Sequence, residues 1–336
     1  MKDNNIKNDI KYEGFFDFED IFSYESLTDS WFEFRVGKKK KSDIGEYFLY
    51  LSKNILDLHR DIMNGTYKHS GYKHFKIYDP KVRDIHKASI RDRVIHHAIY
   101  RAIYKYFDKF FIHDSYSCRV EKGTHKALDR FRYYYRKESL NDRETVWVLK
   151  CDIRKCFHSV DHNILKNIIR KYINCPRFLG VIDTVIDSFS SGATGKGIPL
   201  GNLTSQIFIN IYLNEFDQFI KRDLKIKKYI RYADDFVIFS RDKRYLEELI
   251  PKMKIFLGEK LNFQMHPDKV FIKTVNSGVD FLGWVHFRDH KILRTKTKLR
   301  MYKKIFEDTR PEVLASYLGF LSYGNAYKLE LKLMEI

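Results

Sequence analysis

The sequence predicts an α+β fold organised around a split βαββαβ unit, in which two segments place acidic residues at strand ends. Residues 146–152 form an apolar run that indicates a central, buried strand, and this strand ends in Asp152. Residues 229–240 form two β-rich apolar runs around Ala-Asp-Asp, which is typical of a hairpin with a tight turn. Helical patterns separate these segments, and the order strand, helices, hairpin, helix, strand gives the split unit.

The composition indicates a globular protein with a polyanionic partner. The 336-residue chain is 44% hydrophobic and 16% aromatic, which excludes a disordered chain and allows one large core or two to three subdomains. The formal charge is +18, from 62 Lys and Arg against 44 Asp and Glu, so a phosphate backbone is the leading partner. A membrane surface is the competing partner, but the chain has no apolar run near about 18 residues, so we expect no membrane association.

The N-terminus and the cysteines predict a cytoplasmic protein. The first eight residues are polar and contain no apolar signal region. The cysteines include no CxxC pair, and no histidine has zinc-ligand spacing with them, so we expect free thiols and no zinc. They are Cys118, Cys151, Cys156 and Cys175.

The first part of the chain is predicted to contain helices and one basic hairpin. An apolar stripe at helical spacing predicts a buried helix face, made of Phe48, Leu51, Ile55, Leu58 and Ile62. Residues 75–83 indicate a short strand pair around an Asp-Pro turn, and residues 91–94 open a helix. The hairpin carries Lys76, Lys81 and Arg83, which suit a triphosphate, although their composition equally fits a solvated face.

Three aspartates are candidate metal ligands. Asp234 and Asp235 share one turn, where two like charges repel unless a hard divalent ion lies between them. An ionised Asp152 at the end of a buried strand also needs a compensating charge. Asp-Asp is ordinary turn chemistry as well. The third aspartate in a matching setting nevertheless favours a metal site.

The remaining elements surround these acidic segments. Asp161 begins a helix, and the glycine-rich residues 192–204 allow the backbone to approach a ligand closely. Further predictions are helices at 205–217 and 245–261, a strand at 263–272 that carries Lys269, and a hairpin arm at 279–285. The last 50 residues are basic and helical in pattern, with seven Lys and Arg and no acid between Lys291 and Lys304, which suits a duplex backbone.

In this order the segments resemble the seven-block core of reverse transcriptases, especially those of prokaryotic retroelements. The resemblance covers about residues 70–290. It is carried by Arg83, Asp92-Arg93, Ser115-Tyr116, Arg119, Asp152, Phe157, Gly201, Ser205, Tyr232-Ala233-Asp234-Asp235, His266-Pro267, Lys269 and Phe281-Leu282-Gly283. A lone Tyr-x-Asp-Asp would be weak support, whereas so many ordered blocks make accident improbable.

The resemblance implies a right-hand polymerase with fingers, a ferredoxin-like palm and a short helical thumb. It implies an N-terminal helical extension of the fingers at 1–70 and fingers at 71–145. The palm would cover 146–285, with a helical part around 161–200, and a short basic thumb would cover 286–336. The implied activity is RNA-directed DNA polymerisation from dNTPs on a template RNA, with an RNA/DNA duplex bound.

The resemblance also implies roles for individual residues. Two Mg²⁺ ions would be held by Asp152, Asp234 and, more loosely, Asp235, with the backbone carbonyl of Ile153, and Lys269 would donate a proton to pyrophosphate. Arg83 would grip the triphosphate with help from Lys76 or Lys81. Phe157 matches the aromatic gate that excludes a 2′-hydroxyl, where RNA-dependent RNA polymerases usually need a polar residue. Phe281-Leu282-Gly283-Trp284 resembles the primer grip.

One segment departs from the common reverse transcriptase pattern. Most members have Gln-Gly-x-x-x-Ser-Pro, but residues 200–206 are Leu-Gly-Asn-Leu-Thr-Ser-Gln, so Leu200 cannot make the hydrogen bonds of the usual Gln. Gln206 puts a polar group where Pro is usual, and Gly201 is retained. The form is similar to that of diversity-generating retroelements, whose enzymes make cDNA with errors at adenines. It implies a small basic oligomeric accessory protein and a prokaryotic or phage origin.

Three alternatives remain at this stage. The segment can reflect lineage drift without error-prone synthesis. The chain can be a stand-alone reverse transcriptase of a defence system or of another retroelement, with the same chemistry on a different RNA. An alternative of another class is a catalytically decayed RNA-binding scaffold, against which the presence of all three aspartates and Lys269 argues.

Overall fold

The computed structural model describes residues 16–78 and 82–334, which fold into two compact units. Of these residues, the first unit takes in 16–77, Arg83–Phe110 and Phe157–Tyr212. The second unit takes in Tyr78, Val82, Phe111–Cys156 and 213–334. The division of the chain into N-terminal extension, fingers, palm and thumb stays a prediction.

The elements alternate between helical stretches and short strands along the chain. The helices are α1 (Phe18–Ile21), α2 (Tyr24–Arg35), α3 (Ser42–Leu49), α4 (Leu51–Met63), α5 (Ile90–Asp108), α6 (Thr124–Glu138), α7 (Cys156–Ser159), α8 (His162–Arg170), α9 (Pro176–Asp187), α10 (Leu203–Gln218), α11 (Lys243–Leu261), α12 (Thr295–Glu307), α13 (Pro311–Leu321) and α14 (Tyr327–Met334). The strands are β1 (Lys73–Ile77), β2 (Arg83–Lys87), β3 (Trp147–Asp152), β4 (Tyr229–Tyr232), β5 (Asp235–Ser240), β6 (Phe271–Thr274), β7 (Val279–Phe281), β8 (Trp284–His286) and β9 (Lys291–Leu293).

The first unit is mainly helical and carries one exposed hairpin. Helix α5 packs on α2, and Arg101 of α5 pairs with Asp29 at 3.1 Å on the rim of this contact. Strands β1 and β2 pair antiparallel, with Phe75 opposite Ile85. The predicted helix from Phe48 is interrupted, because α3 ends at Leu49 and α4 begins at Leu51. Phe48 is therefore exposed rather than buried, contrary to the prediction.

The second unit contains the predicted split βαββαβ sheet. Its four strands lie in the order β4-β5-β3-β6, and every neighbouring pair is antiparallel. Strand β3 is central, as its apolar sequence predicts, because a strand with both faces covered favours apolar residues throughout. Asp152 at the end of β3 lies opposite Asp235 at the start of β5. The sheet order therefore brings the two acidic segments together.

Each face of this sheet packs on helices of the same unit. Val148, Val237 and Phe239 belong to a core with Phe131 of α6, whose ring lies 4.8 Å from that of Phe239. On the other face, the ring of Phe236 lies 5.2 Å from Phe216 near the end of α10. Helix α11 also contacts β3, β5 and β6. Packing on both faces holds the strands β3 and β5 in place, and these strands carry Asp152 and Asp235.

The C-terminal part differs in two places from the predicted elements. Lys269 does not lie on a strand, because Pro267 starts a short 3-10 turn at Pro267–Lys269 and the strand β6 begins only at Phe271. The predicted arm at 279–285 is itself a hairpin of β7 and β8, and β9 extends it to a three-stranded sheet. Helices α12 to α14 follow as the predicted basic helical segment.

The architecture as a whole confirms the predicted α+β class. Helices and mainly antiparallel strands alternate, and the sheet of the second unit has the strand order of a ferredoxin-like fold. Among residues 16–78 and 82–334, we find no helix with the length and apolar character needed to cross a membrane.

Candidate active site

The acidic turn joins β4 to β5 through Ala233 and Asp234. Ala233 has a φ of +53°, a left-handed conformation that is strained for a residue with a Cβ atom. The backbone carbonyl of Asp234 accepts a hydrogen bond from the N–H of Ile153 at 3.2 Å. The turn is thereby tied to the residue that follows Asp152.

The structure brings Asp152, Asp234 and Asp235 together at one end of the sheet. Asp152 is only 8% exposed, and Asp234 and Asp235 are half-buried. Burial raises the pKa of the Asp235 carboxyl to about 6, and the charges of Asp234 and Asp152 act in the same direction. The site therefore holds carboxylates whose mutual repulsion is incompletely compensated.

Two lysines partly neutralise these carboxylates. The ammonium of Lys269 lies 3.0 Å from both carboxylate oxygens of Asp152, and the Lys269 side chain is 42% exposed. The N–H of His266 donates to the backbone carbonyl of Asp152 at 2.7 Å, which fixes the start of the turn that carries Lys269. Lys150, two residues before Asp152 on β3, places its ammonium 3.8 Å from Asp235.

The donor set suits a hard divalent cation. Three carboxylates and a nearby backbone carbonyl are the oxygen ligands that Mg²⁺ prefers. Within the described residues, no three His, Cys, Asp or Glu side chains already converge on one ion position. Both carboxylate oxygens of Asp152 accept hydrogen bonds from Lys269. The residue types at this end of the sheet therefore fit Mg²⁺.

The first unit holds the predicted nucleotide-facing segment, residues 200–206, against the β1–β2 hairpin. The N–H of His86 on β2 donates to the carbonyl of Leu200 at 3.2 Å, and the Asn202 side-chain amide donates to the carbonyl of His86 at 2.9 Å. Gly201 between them has a φ of +106°, and a Cβ atom there would lie 3.0 Å from Ile85. A glycine is therefore required both by backbone conformation and by close approach.

Thr204 connects the same segment to two buried histidines. Its hydroxyl lies 2.7 Å from Nδ1 of His96, and Nε2 of His96 lies 3.1 Å from Nε2 of His69. One hydrogen between two facing Nε2 atoms requires at least one neutral ring. Burial lowers the pKa of His96 to about 3, so His96 is neutral at pH 7.

The other predicted nucleotide-binding residues have different degrees of exposure. Lys76 and Arg83 are exposed on the β1–β2 hairpin, and Lys81 lies outside the described residues. Gln206 is exposed on the first turn of α10. Phe157 is half-buried on α7, and its carbonyl accepts a hydrogen bond from the N–H of Ile198 at 2.8 Å.

The predicted primer-grip residues divide into two buried rings and one tight turn. Phe281 and Trp284 are fully buried at paired positions of β7 and β8, so their rings belong to the core. Leu282 and Gly283 between them have φ values of +51° and +86° and form the turn. Only these two turn residues have partly exposed side chains or backbone, so any primer contact falls to them.

The sequence analysis missed three residues that adjoin the acidic turn. Lys150 could have been found from the period of two along β3, because it lies on the same face as Asp152. Arg231 and Asp217 form a fully buried ion pair at 2.6 Å beneath the turn. No local signal joins them, since one lies on α10 and the other on β4.

Known proteins share both the sequence pattern and the fold of this chain. A family model described as reverse transcriptase (RNA-dependent DNA polymerase) matches residues 76–286. Protein YkfC of Escherichia coli strain K12 is 25% identical over 73% of this chain and 74% of YkfC. The group II intron-encoded protein LtrA of Lactococcus lactis subsp. cremoris is 22% identical over 66% of this chain and 47% of LtrA.

Two solved structures of apo telomerase from Candida tropicalis share the fold. One has a TM-score of 0.51 at 11% identity and covers 66% of this chain and 48% of the telomerase. The form truncated from its C-terminal domain has a TM-score of 0.52 at 13% identity and covers 72% of this chain and 60% of that chain. This chain thus spans about half the length of LtrA and of the longer telomerase.

These similarities decide the fold and the enzyme class. The likeness to telomerase confirms the predicted right-hand polymerase fold. The family match covers more than half of the chain and confirms the predicted enzyme class, an RNA-directed DNA polymerase. The chain belongs to the reverse transcriptase family.

Proposed function

We propose that this chain copies a template RNA into cDNA from dNTPs, with Asp152, Asp234 and Asp235 as its catalytic carboxylates. One observation carries the proposal, namely that the central strand and the β4–β5 turn bring these three side chains to one end of the sheet. A decayed RNA-binding scaffold would have no need to retain such a costly set of like charges, one buried and two half-buried.

The carboxylates would hold two Mg²⁺ ions. Asp152 and Asp234 would be the main ligands, with Asp235 and the backbone carbonyl of Ile153 as further oxygen donors. When bound, the ions activate the primer 3′-hydroxyl and stabilise the charge on the leaving pyrophosphate. Asp235 has a pKa raised to about 6 by burial, so it is mostly ionised at pH 7.5 and available as a ligand.

Lys269 would serve as the proton donor to pyrophosphate. Its ammonium pairs with Asp152, and its side chain is 42% exposed, so it can turn from the carboxylate toward solvent. Once it has turned from Asp152, the Lys269 ammonium would approach a phosphate oxygen of the leaving pyrophosphate. The same lysine would thus compensate Asp152 before substrate binds and assist the leaving group afterwards.

The remaining roles are assigned by resemblance and by exposure. Arg83, with Lys76 or Lys81, would bind the triphosphate, and Phe157 would exclude a 2′-hydroxyl. Leu200, Gly201 and Gln206 would line the incoming nucleotide, and the turn at Leu282 and Gly283 would contact the primer. The buried rings of Phe281 and Trp284 would support that turn from the core.

The catalytic assignment is tested by Asp234→Asn. We expect cDNA synthesis on a defined RNA to fall by more than about 1000-fold while RNA binding changes less than twofold, because only the metal-ligating charge is lost. The control is Asp242→Asn, which retains the cap that Asp242 gives to α11 and should leave synthesis unchanged. Synthesis at the wild-type rate by Asp234→Asn would remove the metal assignment.

We further propose that the enzyme belongs to the diversity-generating type. The support is the 200–206 segment, whose Leu200 lacks the hydrogen bonds of the usual Gln and whose Gly201 is packed against β2. Fidelity depends on small energy differences between right and wrong pairs, so one lost shaping contact loosens it. A small basic oligomeric accessory protein would bind with the RNA, in the cytoplasm of a prokaryote.

A second candidate is a reverse transcriptase of another retroelement or of a defence system. The similarity to LtrA, whose name describes a group II intron-encoded protein, favours it. Sequencing of cDNA made on a defined RNA separates the two functions. Substitutions concentrated opposite adenines support the diversity-generating type, and a flat error spectrum supports the second candidate.

A further inference from the structure

A fully buried ion pair lies beneath the turn that carries Asp234 and Asp235. The guanidinium of Arg231 donates to both carboxylate oxygens of Asp217, from Nη2 to Oδ2 at 2.6 Å and from Nε to Oδ1 at 2.8 Å and to Oδ2 at 3.0 Å. Both side chains are 0% exposed. The hydroxyl of Tyr229 donates a further bond to Oδ1 of Asp217 at 2.8 Å. Burying both charges costs desolvation free energy, so a role in positioning nearby groups explains the pair better than stability does.

A hydrogen bond from Arg231 joins the pair to the acidic turn. The Nη1 atom of Arg231 donates to the backbone carbonyl of Ala233 at 3.3 Å. Ala233 is the left-handed residue of the turn, with a φ of +53°, and Asp234 follows it directly. A strained backbone persists only where its surroundings hold it. Arg231 supplies such a hold from below.

The backbone of Arg231 is itself fixed by a neighbouring loop. Its N–H donates to the carbonyl of Asp114 at 2.9 Å, and its carbonyl accepts from the N–H of Tyr116 at 3.0 Å. Asp114 is buried and accepts from the side chain of Arg130 at 2.7 Å, which anchors this loop to α6. Arg231 is therefore held twice. Its side chain is bound to Asp217 on α10, and its backbone is bound to the loop at Asp114 and Tyr116.

We propose that the Asp217–Arg231 pair positions the metal-binding turn, with Arg231 as a positioning residue for Asp234 and Asp235. The inference rests on the proposed function, because it takes these two aspartates as metal ligands. Groups that orient metal ligands typically alter metal affinity by about 10- to 100-fold when they are removed. The pair would thus tune the affinity of the site for divalent ions without touching an ion or a substrate.

The first test variant is Arg231→Lys. Lysine keeps the charge opposite Asp217, so the buried carboxylate stays paired, but one ammonium cannot form both bonds to Asp217 and reach Ala233. We expect Mn²⁺ affinity, measured by electron paramagnetic resonance of the free ion, to fall at least tenfold. We also expect kcat to fall at least tenfold while KM for dNTP changes less than twofold.

A second variant keeps the test valid if the lysine substitution unfolds the protein. The triple change Asp217→Leu, Tyr229→Phe and Arg231→Met removes both charges and the hydroxyl that would lose its partner, and such apolar replacement is often neutral for stability. The same loss of Mn²⁺ affinity is expected. If neither variant folds, the pair serves stability alone and the proposal is overturned.

The matched control lies at the other end of the same hairpin. Lys228, which directly precedes β4, pairs there with the buried carboxylate of Glu138. Lys228→Met should lower the melting temperature without changing Mn²⁺ affinity. Wild-type Mn²⁺ affinity in a folded Arg231 variant overturns the inference. Wild-type affinity in Asp234→Asn instead overturns the proposed function, so the two failures are distinguishable.

Discussion

Acidification should destabilise the protein through buried histidines, and His286 allows the effect to be isolated. Burial lowers the pKa of His286 to about 3, and the cations Lys291 and Arg132 act in the same direction. Its ring stacks on Phe131 with centroids 4.1 Å apart, and its Nε2 atom has no hydrogen-bond partner among the described residues. Protonation of this ring would therefore place an unpaired charge in the core.

The direction and the size of the change in the free energy of unfolding follow from the pKa of His286 in the folded and in the unfolded chain. His286 takes up a proton near pH 6.5 in the unfolded chain but only near pH 3 in the folded protein. The contribution of the neutral His286 to stability is therefore complete above pH 6.5 and is lost as the pH falls below it. Between pH 6.5 and 5.5 the loss is about 1 kcal/mol for His286. His96, with a pKa also lowered to about 3, loses a similar amount, about 1 kcal/mol.

The carboxyl of Asp235 has the opposite effect on stability from the two histidines. The pKa of Asp235 is raised to about 6, so the folded protein binds this proton more readily than the unfolded chain. Between pH 6.5 and 5.5 this adds about 0.7 kcal/mol to the free energy of unfolding. These three groups together predict a net loss of about 1.3 kcal/mol in metal-free buffer. The pKa of His97 is lowered to about 4 and adds to the loss in the same direction.

The assay compares wild type with His286→Phe by urea unfolding at pH 6.5 and 5.5, followed by tryptophan fluorescence. Phenylalanine preserves the stacked ring and removes the titration, so the variant should lose about 1 kcal/mol less than wild type on acidification. Equal losses in the two proteins, within about 0.3 kcal/mol, would refute the assignment of a depressed pKa to this buried ring.

Two further predictions concern substrate selection. Phe157→Ala should admit ribonucleotides and lower sugar discrimination by about 10- to 100-fold in kcat/KM, and unchanged discrimination would remove the gate role. Leu200→Gln should restore a hydrogen bond beside the incoming nucleotide and lower misincorporation opposite adenine by about fivefold, as about 1 kcal/mol implies. An unaltered error spectrum in sequenced cDNA, with Leu203→Met as the control, would contradict that account of the segment.

The acidic end of the sheet could be predicted because its signals are local. An apolar run ending in Asp152 and a hairpin with Asp-Asp at its turn each specify where a carboxylate lies, and strand pairing then brings them together. The ordered motif blocks supplied the family. The carboxylate positions and the family can both be recognised from short sequence patterns, without knowledge of how the rest of the core packs.

Other features depend on tertiary partners and could not be predicted. The pairing of Arg231 with Asp217 joins a strand to a helix, and nothing in either segment specifies the other. Pro267 placed Lys269 on a 3-10 turn rather than on the predicted strand. The burial of Phe281 and Trp284 was missed because a motif match says which residues recur, not which way they face.

The contact between the β1–β2 hairpin and the 200–206 segment has a consequence for engineering. Both bonds at His86 use its main-chain N–H and carbonyl, so they survive any side chain at that position except proline, which lacks the N–H. A mutant library can therefore diversify position 86 while the neighbouring segment keeps its anchor. Position 201 offers no such freedom, because even the smallest added carbon meets Ile85.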